Sequence, residues 1–390
     1  MFSLPIIFLA AAVTAMLIVL GLTASPLDLL RRVKNTDDTE AYDPATDQRK
    51  APSLTVVVYD FDRSTDPRPY LEALFAQDYP NFSVVVVADT SATESAEMRK
   101  RLSADFPDVH FTFIPPGSHN LSRRKLAFTL GIKAAKGEYV LTTASNCLMQ
   151  SPRWLSLMMT PVISNPQKEV VLGLTRPDFS PLSGLKRRYR QFDFTQRTLQ
   201  WLSAATRRPI RGDGFNLLFR RSLFFEAKGY SRSVHLNPGD DDIFLTEIAT
   251  RENTAIQISP EARLTQEWGD ITDKALLDLR ERYSFTARKL PKVPFLQASM
   301  VSWAQWIVLG GAVAATLLTL PQWIPAATAA AILLCFWIME ITLYRVAAPW
   351  IGSTRLLWAL VPFLLWHPIG NFMFRMRRWR HTRLQYTCRY

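Results

Sequence analysis

Apolar positions in this chain follow two regimes. Between Leu54 and about residue 290, short Val- and Phe-rich runs alternate with amphipathic stretches, whereas both ends carry apolar runs long enough to cross a bilayer. In the central regime, Leu54 to Tyr59 and Phe82 to Ala88 are Val-rich runs, the pattern of strands buried on both faces of a parallel sheet. Pro69 to Gln77 predicts a helix between them, Glu94 to Leu102 a polar helix, and His110 to Ile114 a third strand. Leu126, Leu130 and Ala134 recur at intervals of four, which predicts a helix with Ser122 at its N-cap and Gly137 in a left-handed C-terminal position. Glu138 to Thr143 is a β-branched run of strand length that opens into Ala144, Ser145 and Asn146. Repeated βαβ units of this kind predict a doubly wound α/β domain, with its ligand site at the carboxyl ends of the strands. Farther on, Leu185, Tyr189, Phe192 and Leu199 lie near helical spacing with cations between them. That pattern predicts an amphipathic helix that either packs on the domain or lies at a membrane face. Asn216 to Arg220 predicts a short strand and Ser222 opens a helix.

The terminal runs set the organisation. Leu4 to Leu22 is uncharged, with Arg31, Arg32 and Lys34 after it and no cation before it, the order expected of an uncleaved anchor rather than a secretory signal. The positive-inside rule then places the chain from residue 31 onward in the cytoplasm. Polar, acidic Asn35 to Pro52 reads as a linker. Met300 to Leu320 and Trp323 to Tyr344 predict a helical hairpin turning at Pro321 to Pro325. Leu356 to Phe374 is interrupted by Pro362, Pro368 and Gly370, and Arg375, Arg377, Arg378 and Arg380 follow it, which suits a re-entrant or interfacial segment. The expected division is therefore 1–50 anchor and linker, 51–295 soluble α/β domain and 296–390 membrane region.

Charge narrows the partners. Lys and Arg number 46 against 34 Asp and Glu, a net charge of +12, which suits anionic lipid, nucleic acid or a phosphorylated substrate. The cations cluster at membrane-flanking positions rather than on one face with stacking aromatics, so nucleic acid is not expected. Cys147, Cys335 and Cys388 give neither a zinc spacing nor a disulfide framework, in keeping with a reducing compartment.

Candidate chemistry lies at the predicted strand ends. Asp60 and Asp62 follow the first strand and Asp89 the second, where carboxylates accept hydrogen bonds from a ribose or base or, singly, are plain turn residues. Arg123, Arg124 and Lys125 crowd a helix start whose dipole already favours an anion such as a diphosphate; a solvated basic helix end is the simpler alternative. Gly212 and Gly214 permit close backbone approach. Asp240, Asp241 and Asp242 repel one another, so they call for a cation, a general base of raised pKa, or a helix N-terminus.

Taken in order, LTVVVYDFDR, QDYPNFSVVVVADTS, SRRKLAFTLGIKAAKGEYVLTT, GDGFNLLFRRSLFFEAKGY and GDDDIFL resemble the successive blocks of the inverting family 2 glycosyltransferases. These are enzymes of the GT-A fold, Rossmann-like with a mostly parallel sheet, and in bacteria they are often membrane-anchored. The resemblance spans about Leu54 to Lys289. It implies transfer of a single hexosyl or N-acetylhexosaminyl group from a nucleotide donor, UDP foremost, to a lipid-linked or envelope-glycan acceptor. The implied location is the bacterial inner membrane, with transmembrane helices at both ends and the catalytic domain cytoplasmic. Asp240, or Asp241 in a shifted register, falls at the catalytic base. Asp62, Asp89, Arg124, Lys125 and Asn146 fall at the nucleotide-sugar contacts, with Gly212, Gly214, Asn216 and Arg282 around the donor and acceptor pocket. The family's Asp-x-Asp, which holds Mg²⁺ or Mn²⁺, reads here Ala144-Ser145-Asn146. Asn146 offers a metal one neutral oxygen, and Arg123 to Lys125 offer an alternative charge for the leaving group. The same departure opens the alternative of a catalytically dead relative serving as a binding or scaffold subunit. The family's Gln-x-x-Arg-Trp is reduced to Arg282-Tyr283, which favours single transfer over polymer synthesis.

Overall fold

The Val-rich runs are strands of one mixed sheet. The computed structural model describes residues 51–60, 68–89, 101–115, 122–268, 273–291, 323–354 and 359–380, with isolated positions elsewhere. In chain order the first elements are β1 (Leu54–Asp60), α1 (Arg68–Phe75), β2 (Phe82–Ala88), β3 (Val109–Phe113), α2 (Arg123–Ala134), β4 (Tyr139–Ala144), β5 (Cys147–Met149), α3 (Trp154–Ser164), β6 (Val170–Leu172) and β7 (Thr175–Pro177). There follow α4 (Gly184–Ala205), β8 (Leu217–Arg220), α5 (Arg221–Glu226), α6 (Ile243–Ile248), β9 (Thr254–Ile256), β10 (Leu264–Gln266), α7 (Asp273–Thr286), α8 (Trp323–Ile351) and α9 (Leu360–Arg380). Two units result, and each stands by itself. One comprises Val33–Leu182 and Arg208–Pro291; the other includes Ser183–Arg207 and Lys292–His381.

The first unit is the expected α/β domain. Its seven-stranded sheet runs β3-β2-β1-β4-β8-β6-β9, and the β3-β2-β1-β4 block and the β6-β9 pair are parallel, with β8 antiparallel to both its neighbours. β5, β10 and β7 form a second, small sheet. Val56, Val58, Val84, Val86 and Leu141 pack with Trp154, Leu155 and Met158 of α3 in one core, the burial that drives a sheet with both faces covered. Helix α2 lies on β1 and β2 through Gly131, where an added Cβ would stand 2.3 Å from Val57 Cγ1. Gly137 corrects a sequence expectation: α2 ends before it, at Ala134, and Gly137 is not in the left-handed region. Its missing side chain serves close approach, since a Cβ would lie 2.7 Å from the Leu54 and Thr55 backbone, and its N–H donates to Thr55 Oγ1 at 2.9 Å.

The second unit is helical. Helix α4, which the sequence put within the 51–295 domain, packs instead with α8 and α9, through Phe192, Tyr344, Ala348, Leu360 and Leu364. Polar groups are buried inside it. Arg197 holds Asp193 one turn away at 2.7 Å, His367 Nε2 lies 3.5 Å from Asp193, and Gln196 donates to Glu340 at 3.3 Å. Leu333–Ile351 is long and apolar enough to cross a membrane. Two expectations change here. The turn placed at Pro321 to Pro325 gives way to a helix from Trp323, with Pro325 in the first turn, where a missing N–H costs little. The interruption expected over Leu356 to Phe374 is not seen: α9 is continuous, with Pro368 inside it. The anchor Leu4 to Leu22 lies outside the described residues, as do most of Glu94 to Leu102 and Met300 to Leu320.

Candidate active site

The glycine block and the acidic block meet through the backbone. Gly212 donates its N–H to the Asp241 carbonyl at 2.9 Å. A Cβ on Gly214 would sit 2.9 Å from Asp240 Oδ2 and 3.2 Å from Asp241 Cβ, so only glycine lets the acidic loop come this near. From the other side Thr142, inside β4, donates its hydroxyl to the Gly214 carbonyl at 2.9 Å. Gly214→Ala is accordingly expected to displace Asp240 and lower turnover by about tenfold or more, read as kcat; unchanged kcat would show that the contact is idle.

The three neighbouring carboxylates occupy three different environments. Asp242 caps α6, accepting from its own helix's Ile243 N–H at 2.6 Å and from the Thr286 hydroxyl. The helix-terminus role thus falls to this residue. Asp241 accepts from Tyr283 Oη at 2.6 Å, and the Arg211 guanidinium lies over the Tyr283 ring. Asp240 is buried against Gly214, ion-paired with Arg124, and no hydrogen-bond donor among the described residues reaches either of its oxygens in regular geometry. Burial, and secondarily the charge of the preceding aspartate, pushes Asp241 up and Asp242 up to about 7. Burial also pushes Asp213 up to about 6, against the N–H groups of Phe215 and Thr175 that it accepts from at 3.1 and 2.5 Å.

Those shifts fix a pH dependence. For Asp213 and Asp242 the folded-state pKa lies above the unfolded value of 3.8. Their contribution to stability is full below that value and lost as pH rises through about 6 and about 7. Thermal unfolding of the chain should show a midpoint that falls between about pH 4 and pH 7. Asp242→Asn, which still accepts from Ile243, should flatten the upper part of that slope; an unaltered slope would refute the assignment.

The cations on the first turn of α2 diverge. Arg123 pairs with Asp89, which also accepts from the Tyr59 hydroxyl at 2.8 Å, so the tips of β1 and β2 are tied together. Arg124 runs to Asp240, with Asp241 at 3.9 Å and its guanidinium 4.8 Å from the Phe215 ring. Burial works against its charge, but Asp240 and Asp241 more than offset that and keep it protonated. Lys125 is fully buried: its Nζ donates to the carbonyls of Ser233, Leu236 and Pro238 at 2.5, 3.0 and 2.8 Å, in the loop that leads to Asp240. Burial lowers its pKa to about 8, opposed by Asp240 and Asp242, which leaves it mainly charged at neutral pH.

The other expected residues are placed as follows. Asn216 is buried, accepting from Trp154 Nε1 at 3.2 Å and donating to the Leu174 and Ala262 carbonyls, so it ties α3 to the segments at 174 and 262. Asn146 donates to the Glu267 carbonyl at 2.6 Å. Arg282 is half-buried on α7, one position before Tyr283. Asp62 lies outside the described residues. Sequence reasoning missed Tyr59, Asp213 and Arg211. Asp213 carried a signal, a carboxylate between two close-approach glycines; Tyr59 and Arg211 carried none.

With this geometry in view, the comparisons give the class and then the family. The chain belongs to glycosyl transferase family 21, whose sequence profile matches residues 13–385. The class expected from the sequence blocks, a glycosyltransferase, holds, and the family that matches is 21 where the blocks resembled family 2. No curated protein sequence matches. Among solved structures, the chain is similar to a mannosyltransferase from Pyrobaculum calidifontis in complex with GDP-mannose and Mn²⁺, at 19% identity and TM-score 0.48 over 92% of this chain and 99% of that one. It is also similar to S. aureus TarS residues 1–349 in complex with UDP, at 14% identity and TM-score 0.39 over 82% and 92% of the two chains. A third is glucosyl-3-phosphoglycerate synthase from Mycobacterium tuberculosis, at 12% identity and TM-score 0.39 over 60% and 77%.

Proposed function

We propose that this chain is a membrane-bound glycosyltransferase that moves one sugar, with inversion, from a uridine-diphosphate donor to a lipid-linked or membrane-proximal envelope-glycan acceptor at the bacterial inner membrane. The observation that carries this reading is the separation of the three aspartates. Asp242 caps a helix and Asp241 holds Tyr283, which leaves Asp240 as the carboxylate able to take a proton. In the proposed reaction Asp240 removes the acceptor hydroxyl proton while that oxygen attacks the anomeric carbon from the face opposite the departing diphosphate. Asp89, at the tip of β2, faces the nucleoside, and Asp62 follows the tip of β1.

The membrane assignment is supported by the second unit. Leu333–Ile351 has spanning length, and apolar side chains such as Leu334, Ile338, Trp366, Phe372 and Met373 stand exposed on α8 and α9. Alkaline carbonate should leave the full chain in the membrane pellet; release to the supernatant would refute this part. A second reading, a non-catalytic binding subunit, is favoured by Ala144-Ser145-Asn146 in place of paired carboxylates. Both are tested by incubating the solubilised full chain with a panel of labelled nucleotide sugars and extracted membrane lipids. Label in the lipid fraction from UDP donors is expected. Nucleotide binding without transfer would support the second reading, and neither binding nor transfer would overturn both.

A further inference from the structure

The residues at the tip of β4 do not fit a divalent cation. Mg²⁺ and Mn²⁺ take hard oxygen ligands, chiefly carboxylates. Ala144 has none, and the Asn146 amide is engaged with the Glu267 carbonyl at 2.6 Å and with Gln266 Nε2 at 3.4 Å. Among the described residues no three His, Cys, Asp or Glu side chains converge as a metal set. Among the described residues, the nearby carboxylates are engaged: Asp89 by Arg123 and Tyr59, Asp213 by two backbone N–H groups, Asp240 by Arg124, Asp241 by Tyr283, and Asp242 by Ile243 and Thr286.

A fixed organic cation is present instead. The Arg124 guanidinium rests on Asp240, stands 3.9 Å from Asp241 and lies 4.8 Å from the Phe215 ring. Its Nη2 rests on Asp240, yet its Nε–H is buried with no acceptor among the described residues. The Arg211 Nε–H is a second buried donor without an acceptor among the described residues, and its guanidinium lies over the ring of Tyr283, whose hydroxyl donates to Asp241. Orphaned charged donors cost free energy unless an anion completes them, and a guanidinium edge matches two phosphate oxygens.

We propose that Arg124, together with Arg211, takes the place of the divalent cation, so that nucleoside-diphosphate binding and sugar transfer at this site are independent of metal. This rests on the nucleotide-sugar reading above. In the step itself the bond between the anomeric carbon and the diphosphate oxygen breaks, and its electron pair departs on that oxygen. The acceptor oxygen forms the new bond to carbon and its proton passes to Asp240. The added negative charge of the released diphosphate meets the Arg124 Nε–H, which lacks an acceptor among the described residues.

Calorimetric titration of the solubilised full chain with UDP, in excess EDTA and in excess MnCl₂, tests this apart from turnover. Affinities within about twofold of each other are expected, with transfer retained in EDTA. Arg124→Gln should weaken UDP binding by about thirtyfold, Arg124→Lys by less, and Arg211→Gln by about tenfold, as charge-assisted contacts do. UDP binding tenfold or more tighter with Mn²⁺ than with EDTA would overturn the proposal while leaving the nucleotide-sugar reading intact. So would full UDP affinity in a folded Arg124→Gln, checked by its thermal midpoint. Failure to bind UDP or GDP under either condition would remove the nucleotide-sugar reading itself, and the proposal with it.

Discussion

Replacing Asp240 by Asn is expected to lower kcat by about a thousandfold while leaving UDP affinity within about threefold of wild type. The substitution keeps volume and removes both the proton acceptor and the charge that pairs with Arg124. Asp240 has no structural hydrogen bond to lose, because its partner is the Arg124 guanidinium and no regular donor reaches it. Asp241→Asn is expected to fall between: the amide still accepts from Tyr283, so some turnover survives. Asp242→Asn retains its cap contact with Ile243 and should remain active. A dead Asp241→Asn beside an active Asp240→Asn would move the base by one residue and contradict the assignment.

The second large effect is on stability. Lys125→Met removes an ammonium that binds three carbonyls in residues 233–238 and leaves those carbonyls buried without donors. The expected loss is about 3 kcal/mol, or roughly 6–12 °C in thermal midpoint for a domain of this size. Because the loop runs on through Gly239 into Asp240, kcat should fall as well. A diphosphate ligand would behave differently, with weaker UDP binding at an unchanged midpoint; that outcome would return Lys125 to the donor site.

Most of the sheet was legible in the sequence, for a physical reason. Strands buried on both faces are near-continuously apolar, and the runs at 54–59 and 82–88 are so apart from Thr55 and Ser83. Strand ends were legible too, because Asp89 and the 144–146 turn interrupt those runs. Individual side-chain roles were not. Arg123, Arg124 and Lys125 looked like one basic cluster, but successive helical residues point about 100° apart. Three adjacent cations therefore reach three partners: Asp89, Asp240 and the 233–238 loop. The aspartates of 240–242 diverge likewise as the chain enters α6. Gly137 shows a related ambiguity, since a glycine past a helix signals either a left-handed turn or close packing, and only the neighbouring β1 backbone decides. The assignment of α4 was hidden because its apolar stripe is equally suited to a sheet or to other helices; Phe192 packing with Tyr344 settles it.

The central claim is that the tips of β1 and β2 and the 239–242 loop surround one nucleoside-diphosphate-sugar site. Photolabelling of the solubilised full chain with a 5-azido-uridine diphosphate sugar, followed by peptide mapping, tests it most directly. The account predicts adducts on the peptides carrying Tyr59 and Asp89, suppressed by excess UDP and retained in Asp240→Asn. Adducts confined to other peptides, or labelling that excess UDP does not reduce, would contradict it.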